Sequence, residues 1–351
     1  LSPMISICRK EEYSMSDRHE YKSVFAPYIT AFLKIKSAVI SNTAVYGHTL
    51  KQWDDAMLLN KRSELYVTKE MVCDWEKSLY HTSERTSYTK YAQLIQFLKY
   101  LCRLGIECYV PRIPKRPSNT YIPYVYTHDD ITRIFAAIDE AELSRPTPKS
   151  CLMCMPCLFR LLYATGMRIS EALSIKNEDI DFSNNFIILR KTKNNKERII
   201  PMNVSLKEVL MQYIKYRDLV PIDGISNPDR YLFVSGLGKP FSANTPYTFF
   251  KRILGKCGIH HRGKNEGPRV HDLRHTFAVH TLHRMSSEDV DLYAGLPILS
   301  VMLGHASVRE TEWYLRLTRE FYPEIIDKMS VTTGGIFPEL DKNNMYHGKG
   351  N

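Results

Sequence analysis

The chain has 351 residues, of which 44% are hydrophobic and 25% charged, with 16 Gly and 18 Pro. At roughly 100–200 residues per domain this length predicts two domains, and the composition excludes a chain that is mostly disordered, collagen-like or low in complexity. No run approaches the ~18 consecutive apolar residues of a bilayer span.

The first twenty residues carry Arg9, Lys10, Glu11 and Glu12 in place of an apolar signal core, so a cytoplasmic protein of the bacterial cytosol or nucleoid, with no membrane partner, is expected. Basic residues exceed acidic ones by ten, giving a formal charge of +10. The excess is local: between residues 251 and 274, seven Lys or Arg stand against Glu266 and Asp272. That distribution predicts a polyanionic partner rather than a merely solvated surface.

In chain order, Leu1, Ser2 and Pro3 ahead of Met4 read as a cloning remnant, and residues 1–19 as an N-terminal extension. Residues 21–39 place Phe25, Tyr28, Ile29, Phe32 and Leu33 at helical spacing. Residues 91–104 repeat this with Leu94, Ile95, Phe97, Leu98 and Leu101 before Gly105 stops the pattern. Shorter helical patterns lie at 50–59 and 68–79, so residues 20–110 read as a small all-helical domain whose apolar stripes are explained by a core. Residues 111–123 hold four prolines and the basic Arg112, Lys115 and Arg116, a stiff extended linker that no helix interior would accept.

Beyond the linker, Thr127 and Asp130 form a capping pattern for a helix through Ile138, and an apolar helix over 158–164 is closed by Gly166. A further helix starts near Arg168. Two β-like runs, 186–190 and 198–201, flank a polar Lys-Asn-Asn-Lys turn, the signature of a hairpin with a basic tip. Helices are predicted at 205–220, 245–257, 271–284, 296–303 and 308–318. Cys151, Cys154 and Cys157 form a C-x2-C-x2-C run, but they lie in an apolar segment with no nearby fourth cysteine. Buried thiols are expected there, not a metal or cluster site.

Five pieces of this second half set an Arg, Lys, His or Tyr beside a turn or a helix start. In ATGMRISEAL, Gly166 lets the chain turn and Arg168 sits at a helix N-terminus, which suits a phosphate. Taken alone, such an arginine is more often a surface ion-pair partner, here of Glu171, than a catalytic group. The hairpin carries Lys191, Lys193, Lys196 and Arg198, which alone is a solvated charge run. His271 and Arg274 of HDLRH are three apart on one helix face. His305 follows Leu303-Gly304, and nine residues later comes Tyr314, which alone beside Trp313 reads as core.

In this order and combination, the pieces resemble the tyrosine recombinase (phage integrase) family, strongly over residues 124–320. The family pattern is Arg, hairpin Lys, His-x-x-Arg, His or Trp, then a nucleophilic Tyr. Here the matches are Arg168, Lys193, His271, Arg274, His305 and Tyr314. One departure concerns the hairpin, where the family's Gly-Lys-Gly-x-Lys-Glu-Arg reads Thr192-Lys193-Asn194-Asn195-Lys196-Glu197-Arg198 and both glycines are replaced; Asn194 and Asn195 tolerate the left-handed backbone better than most residues. Aligning on Lys196-Glu197-Arg198 selects Lys193 over Lys191 and Lys196.

The resemblance implies a mostly α fold with a small antiparallel β-sheet, arranged as a two-domain C-shaped DNA clamp. Residues 20–110 would be the helical core-binding (SAM-like) domain and 124–320 the catalytic domain. A tail over 321–351, with Phe321, Tyr322, Ile325 and Ile326, would pack on a neighbouring protomer. The implied reaction is cleavage and rejoining of DNA through a 3′-phosphotyrosine, without metal or ATP. Tyr314 would be the nucleophile, His271 its base, Lys193 the general acid, Arg168 and Arg274 the charge stabilisers, and His305 a phosphate ligand.

The implied partners are two double-stranded DNA recombination sites, a homo-tetramer and an accessory DNA-bending or directionality protein. DNA contacts are expected from Arg85, Lys90, Lys99 and Arg103 on one helix and from Lys251, Arg252 and Lys256 on another. Arg112, Lys115 and Arg116 of the linker, and Lys191, Lys196 and Arg198 of the hairpin, complete the expected set. The expected setting is a mobile element, as an integrase or transposase-type enzyme. The alternatives are an Xer-type dimer-resolving recombinase, a type IB topoisomerase, a non-cutting DNA-binding regulator, and a metal nuclease built on His260, His261 and His271.

Overall fold

A computed structural model of the chain describes residues 19–39, 43–118, 123–142, 147, 149–190, 197–261 and 267–322. The chain divides into two compact units, residues 1–120 and 121–351.

The first unit contains α1 (Ala26–Ser37), α2 (Ala44–Leu59), α3 (Lys69–Lys77) and α4 (Glu84–Arg103). Local chemistry sets their starts. Thr68 accepts the Met71 N–H at 3.3 Å and Ser83 accepts the Thr86 N–H at 3.3 Å, each satisfying a donor that a helix start leaves open. The four amphipathic faces close on Phe25, Ile29, Leu50, Trp53, Trp75, Leu94 and Phe97, all fully buried. Each such side chain contributes roughly 1.5–3 kcal/mol relative to exposure. Buried Asp54 is satisfied by the Lys22 and Ser23 N–H groups at 3.0 and 2.9 Å and by the Lys51 ammonium at 3.3 Å. Helix α2 begins at Ala44, six residues before the sequence pattern, because the positions it buries ahead of Leu50 are Gly47 and Thr49, which give no apolar stripe.

The second unit holds α5 (His128–Asp139), α6 (Met155–Thr165), α7 (Ile169–Ala172), β1 (Ile180–Asp181), β2 (Phe186–Leu189), β3 (Arg198–Pro201), α8 (Val204–Arg217), α9 (Asn244–Lys256), α10 (Asp272–Ser287), α11 (Leu292–Leu303) and α12 (Arg309–Phe321). The capping box at α5 forms as expected: the Asp130 N–H donates to Thr127 Oγ1 at 3.0 Å, and the Thr127 N–H to Asp130 Oδ2 at 3.1 Å. The sheet is antiparallel in the order β1-β2-β3, with Ile187 opposite Ile200 and Leu189 opposite Arg198. Strand β1, two residues long, is too short to show alternation in the sequence.

One apolar cluster joins α5, α6, the sheet, α8 and α9, and a second joins α10, α11 and α12. Helix α11 starts at Leu292, four residues ahead of the expected start, and runs through Pro297. Cys151, Cys154 and Cys157 are buried thiols, and burial raises all three. Tyr322 stacks on His283 of its own unit, ring centroids 3.9 Å apart, so this residue of the expected intersubunit stripe packs within the chain. The Phe321 side chain, Ile325 and Ile326 lie outside the described residues. Among the described residues no helix is long and apolar enough to cross a membrane.

Candidate active site

Three chain reversals build the site. Gly166 adopts φ 63° and ends α6, and the chain then starts α7 with Arg168 at the N-cap position. Gly304 adopts φ 66° and ends α11, placing His305 just beyond. The start of α10 supplies His271 at its N-cap, with Arg274 and His275 in its first turns.

Arg274 joins the three. The residue is 3% exposed, and its guanidinium donates to Gly166 O at 2.8 Å and to Leu303 O at 2.6 Å. These carbonyls belong to the ends of the helices that precede Arg168 and His305, so a single side chain satisfies both chain reversals. Burial, then nearby Arg168, lowers the Arg274 value to about 10, which leaves the guanidinium charged at neutral pH.

Glu171 anchors Arg168. Its carboxylate is buried and accepts the Arg168 N–H at 2.8 Å and Arg168 Nη1 at 3.0 Å. It also accepts a fork from Arg198, Nη1 at 3.0 Å and Nη2 at 2.8 Å. Burial alone would raise this carboxyl; the hydrogen bonds from Arg198 and from the Arg168 N–H outweigh it and hold the group below its ordinary value. Arg198 Nε donates to Met302 O at 3.0 Å. Arg198 was expected on DNA, and the structure corrects this: its side chain, 7% exposed, is a strut between Glu171 and the end of α11.

Tyr314 of α12 is 3% exposed and lies among these groups. Burial raises its phenol, against the pull of Arg274 and Arg168. The His305 ring lies parallel to the phenol within 5°, centroids 6.0 Å apart, and His305 Nδ1 is 2.7 Å from Thr311 Oγ1. The ring that meets the Tyr314 hydroxyl is His275, Nδ1 at 2.8 Å. His271, the expected base for the phenol, is the neighbouring ring. His271 stands one helical turn earlier, its ring edge-on to His275 at 4.9 Å, while the Tyr314 end of α12 lies against the second turn of α10. His275 is legible in HDLRH as the residue four after His271, on the same helix face, but the family motif stops at Arg.

Burial and neighbouring cations lower His271 to about 4, His275 to about 3 and His305 to about 4. At neutral pH these imidazoles are uncharged, and the site's positive charge resides on Arg168 and Arg274. Such an enclosed set of fixed cations and neutral donors suits an oxyanion whose charge grows during reaction.

A family model, Phage integrase, matches residues 125–320. A Sinorhizobium fredii protein named as an integrase/recombinase, y4rB, is 30% identical over 279 residues, 79% of this chain and 88% of that protein. The chain belongs to the phage integrase family of tyrosine recombinases. Members of that family are DNA strand-transferring enzymes, and this recombinase is one of them. Tyrosine recombinase XerA of Pyrococcus horikoshii is 30% identical over 221 residues, 62% of this chain and 64% of XerA. The Tn1549 transposon integrase, solved in complex with transposon right end DNA, shares the fold. Its TM-score is 0.60 over 82% of this chain and 93% of that one, at 17% identity.

The remaining site candidates of the recombinase are dispersed. Lys191, Lys193 and Lys196 lie outside the described residues. Arg85, Lys99 and Arg103 are exposed on α4, where Lys90 is half-buried and lowered by that burial. Lys251, Arg252 and Lys256 are exposed along α9, with Arg252 over the Phe249 ring at 5.5 Å. Arg112, Lys115 and Arg116 are exposed in the extended stretch after α4. His260 and His261 are exposed at the end of α9, and among the described residues no three His, Cys, Asp or Glu are gathered as a metal ion requires.

Proposed function

We propose that this tyrosine recombinase is a site-specific integrase or transposase-type enzyme of a mobile element, cutting and rejoining two DNA sites as a homo-tetramer. The observation that carries the reading is the enclosure of Tyr314 with Arg168, Arg274 and His305 inside one unit. In the proposed reaction the Tyr314 oxygen attacks the scissile phosphorus in line, a P–O bond forms to tyrosine, and the bond to the 5′-oxygen breaks. Arg168 and Arg274 take up the charge that grows on the non-bridging oxygens. His271 and His305 hydrogen-bond the phosphate. Its charge raises their basicity, and His271 accepts the phenolic proton. Lys193 protonates the departing 5′-oxygen.

The 3′-phosphotyrosine keeps the energy of the phosphodiester, so a 5′-hydroxyl from the second duplex reverses the step through a four-way junction without ATP. Metal ions have no part in the scheme, because fixed guanidinium groups do their work. The first unit, through Arg85, Lys90, Lys99 and Arg103, and α9, through Lys251, Arg252 and Lys256, grip the phosphate backbone. The basic linker and Lys191 and Lys196 of the hairpin add to that grip, and an accessory DNA-bending protein sets direction.

The test is incubation of the full chain with nicked duplexes from the ends and flanks of its genetic locus, in EDTA. Wild type is expected to give a covalent protein–DNA band on a denaturing gel and Tyr314→Phe none. Absence of the band on DNA that both proteins bind would replace this reading with a non-cutting regulator. The similarity to XerA favours one second reading, an Xer-type dimer-resolving recombinase. It would recombine one chromosomal site and ignore the ends of the locus.

A further inference from the structure

Tyr314 is a buried phenol on a helix, and a buried hydroxyl needs a fixed partner. Three observations define that partner. His275 Nδ1 lies 2.8 Å from the Tyr314 hydroxyl oxygen. The imidazole is itself held edge-on, by His271 at 4.9 Å and 87° and by Trp313 at 5.8 Å and 76°. The charge of Arg274 acts on the phenol, while its guanidinium is itself committed to Gly166 O and Leu303 O. A phenol donates through its one hydrogen, and a neutral imidazole accepts at its unprotonated nitrogen. With Tyr314 as donor, His275 Nδ1 is the acceptor and the proton of a neutral His275 sits on Nε2.

We propose that His275 is the positioning residue of the nucleophile, orienting the Tyr314 hydroxyl toward the Arg168 and Arg274 cations of its own chain before DNA arrives. The proposal rests on the reading of Tyr314 as nucleophile and adds a residue that the family's six-residue pattern omits. His275, with a value lowered to about 3, is too weak a base to ionise a phenol raised by burial. It therefore fixes direction without removing the proton, and the nucleophile stays a phenol until the phosphate is bound. The same depressed value keeps Nδ1 available as an acceptor throughout the neutral range.

Two substitutions separate positioning from packing. His275→Phe keeps a ring of similar size but no acceptor. His275→Asn loses the ring, yet its side-chain oxygen can occupy the place of Nδ1. If His275 only filled space, the Phe variant would be the better enzyme; if it positions Tyr314, the Asn variant is.

Initial rates of covalent-complex formation would be measured on nicked duplexes from the locus flanks, with DNA affinity measured in parallel. His275→Phe is expected to slow the step by at least tenfold, approaching the ~100-fold that misplacing a reacting group by about 1 Å can cost. DNA affinity is expected to be unchanged, and His275→Asn to recover most of the rate. An adduct formed as fast by His275→Phe as by wild type, or faster by Phe than by Asn, overturns the proposal alone. No adduct from wild type overturns the nucleophile reading, and the proposal with it. Should either variant melt early, the full chain labelled with 3-fluorotyrosine gives a second readout without DNA. The Tyr314 resonance, assigned by its loss in Tyr314→Phe, is expected to shift in a folded variant lacking the acceptor, and an unmoved signal refutes the contact.

Discussion

Glu171 carries more of the site than any exposed charge. It is buried between two cations, and each depends on it for a hydrogen-bonded counter-charge. Glu171→Gln is expected to lower stability at pH 7 by about 3–5 kcal/mol, the cost of breaking a buried pair from one side, and to release Arg168 from its fixed rotamer. The pH dependence follows from the depressed carboxyl. Its stabilising contribution is present above the unfolded value near ~4.3 and is lost as pH falls through the lower folded value. Thermal melts of wild type and Glu171→Gln should therefore differ most at neutral pH and converge as pH falls through that lowered value. A gap that stays constant with pH would show that Glu171 acts by packing alone. At this scale the sequence made the Arg168–Glu171 pair readable, because three-residue spacing on a helix start needs no long-range information. The Arg198 fork was not readable, since its partner is 27 residues away and a basic residue at a hairpin root looks the same whether it faces solvent or a buried carboxylate.

Among the elements, the turn from α6 into α7 has the least freedom. A Cβ at Gly166 would lie 2.9 Å from Leu303 Cδ2 and closer still to Phe277, at a φ of +63°. Gly166→Ala therefore combines a strained backbone with overpacking of α10 and α11. A destabilisation of roughly 2–4 kcal/mol is expected, read as a Tm lower by about 5–15 °C for a unit of this size. Cleavage should fall with it, because Gly166 O is one of the two carbonyls that hold Arg274. Elements with end signals were legible. Thr127 and Asp130 marked α5, Gly166 closed α6, and the β2 and β3 runs flanked a polar turn. The starts of α2 and α11 were not, since α2 buries Gly47 and Thr49 in its first turns in place of large apolar side chains, and Pro297 inside α11 reads as a helix start rather than an interior residue.

For the whole molecule, the +10 charge makes DNA affinity a property of ionic strength. Each phosphate neutralised releases counterions, with a slope near −0.9 per contact on logarithmic axes. Binding of the full chain to duplex DNA is expected to weaken by about 10³–10⁵ between 50 and 200 mM salt if six to ten phosphates are engaged. Tyr314→Phe should trace the same line, because a buried phenol neutralises no phosphate. A flat salt response in fluorescence anisotropy would remove the exposed lysines and arginines of α4 and α9 from the interface. The polyanionic partner and the division into two units could be read from charge, length and prolines, whereas the grip of each helix on DNA has no counterpart in one-dimensional spacing.

The attachment of Arg274 to Gly166 O and Leu303 O bears on how such an enzyme decays over evolution. A side chain that ties off two helix ends is retained by selection for folding even after selection for cleavage has ended. Descendants of this chain that stop cutting DNA should therefore lose Tyr314 or Lys193 first and Arg274 last. In any comparison of relatives, an intact arginine is weak testimony to activity, and an intact tyrosine is strong.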